Sequence, residues 1–386
     1  MKKATADAAG PLASGQAWSD FCDGMKAAGQ DILRASAPKT PLDLAEGHRY
    51  LTHVLRSAFD LIVEGGDPQH PRLQVSLGSG TKLGWDNPDN LHHNAVLRGD
   101  CEYRLSGTRG DAHYFSLGVY AGSYAKGGGR KVAFVEIDSL EIGADRRFEV
   151  VLSARAHSGN WIRLEPDTTS MMLRQIFWDR ATEQPAELRL ERIDARGPVP
   201  PLDPAFMVSA LQRVIGMVRG TNQIMFDWAD RFRERPNQLM PGDAAANERL
   251  QGVPAQTLAS GWWEIGPEQA AVIDFPPPRC RYWNFVLSNY WGQSFDYTSH
   301  ATCVNARGAR TRADGSVRLV VAHRDPGLDD ANWLDTAGHA SGVWQFRWLE
   351  ADGVQVPTPR VVDWTSLGRA AHGEAATSGG EPAPKA

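Results

Sequence analysis

The chain has 386 residues, with 41 Lys and Arg against 46 Asp and Glu, a formal net charge of −5. That balance excludes a sequence-independent hold on DNA or RNA, which needs a basic face. An apolar fraction of 42% with 23% charged residues predicts a folded protein, and the length exceeds what one hydrophobic core usually serves, so two packed units are expected. No apolar run reaches the length of a membrane span, and the first ten residues lack the apolar core of a signal peptide. A cytoplasmic protein with no membrane partner is therefore expected. Cys22, Cys101, Cys280 and Cys303 are scattered with no C-x-x-C, which suits reduced thiols better than a disulfide frame or a zinc knuckle. Thirteen Trp against eight Tyr point to large core-filling or ligand-lining positions.

Residues 1–15 are small and polar, and disorder is expected there. Apolar residues then recur as Trp18, Phe21, Met25, Ala28 and Ile32, a helical period. Thr40-Pro41 supplies an N-cap followed by proline at the first helical position, and the second helix is predicted to end before Gly65-Gly66-Asp67-Pro68. Residues 16–66 thus form a helical N-terminus.

From about Leu73 the texture changes to short alternating runs. Residues 102–106, 113–120, 131–137, 147–152, 170–177 and 187–193 read as strands of one antiparallel unit spanning 70–196. A proline-rich stretch follows, and helical periodicity returns from Phe206 to Phe232, within a helical linker over 203–258 whose last part, 236–258, reads as loop. Strands resume at Gly261 and continue to Trp364, a second β unit over 259–366. The tail over 369–386 is rich in Ala, Gly, Glu and Pro, a disordered composition.

The two units echo one another. Asn160-Trp161 precedes Arg174 by 14 positions, counted from the Asn, and Asn332-Trp333 precedes Arg347 by 15. Asp145-Arg-Arg-Phe matches Asp314-Gly-Ser-Val, and His113-Tyr-Phe-Ser-Leu matches Arg281-Tyr-Trp-Asn-Phe. Four matches in one order point to duplication. In each unit the Asn amide is expected to brace a loop while the Trp plugs the end of the sandwich.

Three stretches carry a resemblance: Tyr290-Trp-Gly-Gln-Ser-Phe-Asp-Tyr297, Val321-Ala-His-Arg-Asp-Pro-Gly327 and Asn332-Trp-Leu-Asp-Thr-Ala-Gly-His339. They resemble the bacterial DUF1214 domain family, often found with a DUF1254 companion, over roughly 260–365. The preceding unit, with Gly84-Trp-Asp-Asn-Pro-Asp-Asn90, resembles a divergent partner of the same kind. The resemblance implies a mainly β protein of two related antiparallel β-sandwich, jelly-roll-like units with helical additions, and a homo-oligomer. It implies no particular reaction.

Three constellations bear on chemistry. His323, Asp325, Asp335 and His339 lie within seventeen positions, and a neutral His held by a carboxylate is an efficient general base near pH 7. The same four could ligate a divalent metal, but no H-x-x-x-H or H-E-x-x-H supports one and none is expected. Asp-Pro-Gly is also ordinary turn chemistry. Asp86, Asn87 and Asn90, followed by His92-His93, lack EF-hand spacing and read either as Asx-turns or as polar groups offered to a ligand. Tyr290, Trp291, Ser294, Asp296 and Tyr297 belong to an aromatic stretch that would wall a ligand site or fill a core. Ser294 lacks the G-x-S-x-G elbow, and no glycine-rich turn sits between a strand and a helix, so no nucleotide cofactor is expected.

The resulting expectation is a cofactor-independent enzyme acting on a small organic or sugar-like molecule by His/Asp acid–base chemistry. The alternatives are a non-catalytic carbohydrate- or ligand-binding sandwich and a structural oligomer subunit.

Overall fold

The computed structural model describes residues 10–78, 80–123, 128–194 and 200–367. Two helices open the chain, α1 (Gln16–Gln30) and α2 (Pro41–Ala58). Thr40 caps α2 by accepting from the Asp43 N–H, with Pro41 in the first turn, where its missing N–H costs nothing. The end of α2 widens into a π-helical stretch, Phe59–Glu64. Of the amino-terminal region expected to be disordered, residues 1–9 lie outside the described residues, and 10–13 form a helical turn in which Ser14 N–H donates to Gly10 O. The tail expected over 369–386 also lies outside the described residues.

Eighteen strands follow among the described residues. The first nine are β1 (Gln74–Leu77), β2 (Asn90–Val96), β3 (Tyr103–Thr108), β4 (Tyr114–Ser123), β5 (Gly128–Glu136), β6 (Arg147–Ser153), β7 (Trp161–Arg163), β8 (Thr168–Ile176) and β9 (Glu187–Arg192). The 30-residue helix α3 (Pro204–Arg233) comes next, then β10 (Met240–Pro241) and the short helix α4 (Ala244–Arg249). The remainder are β11 (Gln256–Glu264), β12 (Gln269–Phe275), β13 (Tyr282–Ser288), β14 (Cys303–Asn305), β15 (Val317–Ala322), β16 (Asn332–Asp335), β17 (Ser341–Leu349) and β18 (Arg360–Asp363). The segment from 236, read as loop, thus contains β10, α4 and the start of β11. No helix among the described residues is long and apolar enough to cross a membrane.

The strands form four sheets, in the orders β1-β2-β8-β4-β5 and β7-β6-β3-β9, then β10-β11-β17-β13-β14 and β16-β15-β12-β18. Adding nine to each strand number turns the first pair of sheets into the second, so the protein is two copies of one sandwich. Each copy has its own core. Phe115, Leu117, Val150 and Leu173 belong to the first, and Phe285, Leu319, Trp344 and Phe346 to the second. Both copies end a sheet on the same parallel pair, β6 with β7 and β15 with β16.

The Asn-Trp echo sits at these parallel pairs. Asn160 Oδ1 accepts from Glu141 N–H, and its Nδ2 donates to Glu141 O and Glu149 O. Asn332 makes the same three bonds, with Arg310 N–H, Arg310 O and Arg318 O. Trp161 and Trp333 each give their indole N–H to the last carbonyl of the neighbouring strand, Ser153 O and Ala322 O, both at 3.0 Å. One side chain satisfying three backbone groups is what fastens an irregular loop to a sheet edge.

The five-stranded sheets are covered on both faces. Helices α1–α3 pack on the outer face of the second unit through Trp262, Tyr290, Trp291 and Val343. Beside them the outer faces of the two large sheets meet at Tyr114, Ile176, Tyr282 and Leu349. Strands β13 and β17 are consequently buried along almost their whole length. The helices approach closely at Gly47, where a Cβ would stand 2.8 Å from the Trp291 ring.

Candidate functional site

Side chains alternate across a strand, so an arginine between apolar neighbours must face away from the core they fill. On β8, Met171 and Leu173 enter the first core and Arg174 faces outward. On β17, Trp344, Phe346 and Trp348 enter the second core, and Gln345 and Arg347 face outward. Cross-strand register pairs His92 with Arg174 and Leu258 with Arg347, so the duplication sets His92 in one copy opposite Leu258 in the other. Likewise Asn94–Met172 in the first copy answers Ser260–Gln345 in the second.

Both arginines line a cavity of about 230 Å³ between the units. Its apolar walls include Leu61 of the π-helical stretch, Met217, Ile224 and Trp228 of α3, Met172 of β8 and Leu258 of β11. Trp85 stacks on Trp228 with ring centroids 5.3 Å apart and planes 8° apart.

Part of the polar lining, Asp86 and Asn87, comes from the loop before β2. Asp86 takes both donors of Ser294, the backbone N–H at 2.9 Å and Oγ at 2.7 Å. Asn87 Oδ1 accepts from Asn284 Nδ2 at 2.7 Å, and its Nδ2 donates to the Tyr282 hydroxyl at 3.0 Å. The same hydroxyl donates to Asp89 Oδ2 at 2.6 Å, and Asn305 Nδ2 donates there at 3.1 Å. These bonds join the first unit to β13 and β14 of the second. Burial raises the pKa of both Asp86 and Asp89.

Arg174 Nε donates to His92 Nε2 at 3.0 Å, and Nη2 donates to Gln251 O at 3.2 Å. A guanidinium only donates, so Nε2 is the acceptor and the neutral ring carries its proton on Nδ1. Burial first, then the Arg174 charge, holds His92 well below the usual histidine range. Arg347 donates Nη2 to Trp85 O, and burial lowers its pKa to about 10. Four buried polar atoms of the cavity lining have no protein partner: Trp85 Nε1, His92 Nδ1, Arg347 Nη1 and Gln345 Oε1. Native proteins rarely leave such groups unpaired, since each costs about 1–3 kcal/mol.

The histidine states set a pH dependence. Folded His92 stays neutral while the unfolded side chain takes up a proton below pH ~6.5, so its contribution to stability falls as pH drops through that value. His339 has the opposite sign: burial opposes its charge, but Glu46 outweighs burial and raises its pKa. Its contribution is complete below pH ~6.5 and is lost as pH rises through the raised value. In urea unfolding, wild type should lose about 1.4 kcal/mol per pH unit below ~6.5 relative to His92→Gln. A constant difference between the two proteins from pH 7.5 to 5.5 would contradict this assignment.

The structure distributes the sequence-derived candidates differently from the pairing expected. His339 bonds to Glu46 Oε2 at 2.9 Å through Nε2 and stacks on Phe295 at 4.2 Å, while Asp335 takes His300 Nδ1 at 2.7 Å. His323 Nδ1 meets Thr336 Oγ1 at 3.0 Å, and Asp325 accepts from Gly327 N–H as an ordinary turn. Neither expected His–Asp pair forms, because α2, far away in sequence, brings Glu46 to His339, and the Asp-Pro-Gly turn engages Asp325. None of the four lines the cavity.

The aromatic stretch is displaced as well. Tyr290 gives its hydroxyl to Asp230 at 2.8 Å, and Trp291 gives its indole N–H to Asp43 O at 2.8 Å, both buried against the helices. Asp296 caps the Thr298 turn, and hydrogen bonds from Thr298 lower its pKa to about 2. Tyr297 carries the Lys82 ammonium 4.3 Å above its ring. Ser294 gives its N–H and hydroxyl to Asp86, and its carbonyl accepts from Lys82 Nζ at 3.2 Å. Asp86, Asn87 and Asn90 do line the cavity, and sequence reasoning missed His92, Arg174, Gln345 and Arg347 beside them. The signal for the arginines was present, a charged residue at matching positions of two otherwise buried strands. Among the described residues no group of three or more His, Cys, Asp or Glu side chains is placed to hold a metal.

Comparison with known proteins adds a family and a close structural relative. Residues 89–177 and 270–351 match the family model DUF1214, described as a protein of unknown function, once in each sandwich. A crystal structure of an uncharacterised protein from Burkholderia cenocepacia is similar, with 42% identity and a TM-score of 0.89, over 93% of this chain and 100% of that one. A protein from Vibrio parahaemolyticus is 12% identical, with a TM-score of 0.47, over 82% of this chain and 98% of that one. No curated protein matches the sequence.

Proposed function

We propose that this chain, which belongs to the DUF1214 family of proteins of unknown function, binds a small, largely apolar molecule with one polar end in the cavity between its two β units. The observation that carries the reading is the make-up of the lining. Leucine, isoleucine, methionine and tryptophan side chains cover much of it, and four buried polar atoms of its residues have no protein partner. Pockets that bind small molecules have this character, apolar surface with a few placed polar groups. A 150 Å³ cavity accepts benzene, so this one would take about ten non-hydrogen atoms.

Binding is favoured over turnover because the groups that could move a proton are committed. His92 is held in one tautomer by Arg174, and both Asp86 oxygens are engaged by Ser294. The stacked Trp85–Trp228 pair provides a reporter. Octan-1-ol, octanamide and octanoate, titrated against indole fluorescence and native mass spectrometry, are the probes. At least one should bind with one equivalent per chain to wild type and not to Met172→Trp, whose added ring fills the cavity while near-ultraviolet circular dichroism stays native. No binding by any of the three, or equal binding by the filled variant, would contradict the proposal.

A further inference from the structure

We infer that the ligand's polar end is a carboxylate, received by Arg347, His92 and Trp85; this rests on the cavity being a binding site. The three free atoms whose roles are fixed are all donors. Arg347 Nη1 and Trp85 Nε1 can only donate, and His92 Nδ1 carries the ring's proton because Nε2 accepts from Arg174. The fourth, Gln345 Oε1, belongs to an amide whose Nε2 donates to Ser260 Oγ at 2.8 Å. Three donors and one amide oxygen on residues lining one cavity suit a group that accepts far more than it donates.

Charge points the same way. Arg174 and Arg347 are both more than nine-tenths buried, and among the described residues neither has a carboxylate within ion-pair distance. Asp86 and Asp89 favour the charge on Arg347 from a distance, yet their oxygens are taken by Ser294, Tyr282 and Asn305. A buried guanidinium without a carboxylate partner is costly, and a bound anion relieves that cost. Arginine presents a planar fork that matches a carboxylate. Leu61, Met172, Met217, Ile224, Trp228 and Leu258 also line the cavity, so an acid with an apolar tail, a medium-chain fatty acid or a short aryl-substituted acid, fits better than a dicarboxylate or a phosphate ester.

The test is calorimetric titration of the full chain with octanoate, octanamide and octan-1-ol. Octanoate should bind wild type at least about tenfold more tightly than octanamide, the order expected for charge-assisted hydrogen bonds. Arg347→Met, which replaces a buried charge by an apolar chain of similar length, should lose that preference while still binding octan-1-ol. Trp85→Phe removes one donor without touching charge and should weaken octanoate about fivefold to tenfold, and octan-1-ol by less. If octanamide and octan-1-ol bind as well as octanoate, the carboxylate assignment fails and the cavity stands as a neutral-ligand site. If none of the three binds, the cavity reading itself fails and takes the assignment with it.

Discussion

Trp291→Ala should lower stability by about 3–5 kcal/mol, the range for emptying a large aromatic site in a packed core. The indole is fully buried, and its ring meets Phe226 edge-on at 5.2 Å and Tyr290 at 5.0 Å. Its N–H donates to Asp43 O in the first turn of α2, and its six-membered ring lies against Gly47 on the same helix. One side chain therefore pins α2 to the second sandwich and α3 to both. Removing it leaves a hole that the facing helix does not fill, because Gly47 has no side chain to move in. Urea unfolding followed by near-ultraviolet circular dichroism measures the change. A loss below about 1 kcal/mol would mean that the helices are held elsewhere.

Asp86→Ala is expected to cost about 3 kcal/mol, and Asp86→Asn only about 1. Alanine strands the Ser294 N–H and hydroxyl inside the protein and removes the carboxylate that favours the charges of Lys82 and Arg347. Asparagine keeps an acceptor for the N–H, and its amide can donate to the Ser294 hydroxyl. Burial already raises the Asp86 pKa, so a neutral replacement gives up less than an exposed carboxylate would. Because the Asp86–Ser294 pair joins the loop before β2 to the second unit, the alanine variant should also expose the unit boundary to limited proteolysis. Equal losses for the two substitutions would show that hydrogen bonding to Ser294 is not what Asp86 contributes.

The duplication was readable in the residues because it depends on side chains with local jobs. Asn160 and Asn332 brace their own parallel pairs, and Arg174 and Arg347 stand at matching positions on β8 and β17. Strands β5 and β2 of the first unit's large sheet are unequally legible. The β5 run alternates, whereas β2, with Asn90, His92, His93 and Asn94, looks like a polar loop. Its polar outer face turns not to solvent but to the cavity, so the usual link between polarity and exposure fails there. The cavity itself could not be read, since its lining joins residues 57–94, 172–174, 217–258 and 345–347, which only the packing of one sheet on another brings together.

His339 illustrates the same limit from the other side. Within residues 323–339 its nearest acid in sequence is Asp335, but the partner in space is Glu46 on α2. Proximity along a loop says little once a helix from the other end of the chain docks on that loop. The aromatic stretch after β13 was a fair candidate for a ligand wall for a similar reason. Tyr290 and Trp291 face a surface, and the helices have taken it.

The most direct test of the account is a crystal structure of the protein soaked with octanoate. The account predicts one octanoate per chain between the two large sheets, its carboxylate within hydrogen-bond distance of Arg347 Nη1 and His92 Nδ1, its chain against Met172, Ile224 and Trp228. Octanoate bound outside this cavity, or a cavity in which ordered water satisfies those two nitrogens at saturating octanoate, would contradict it.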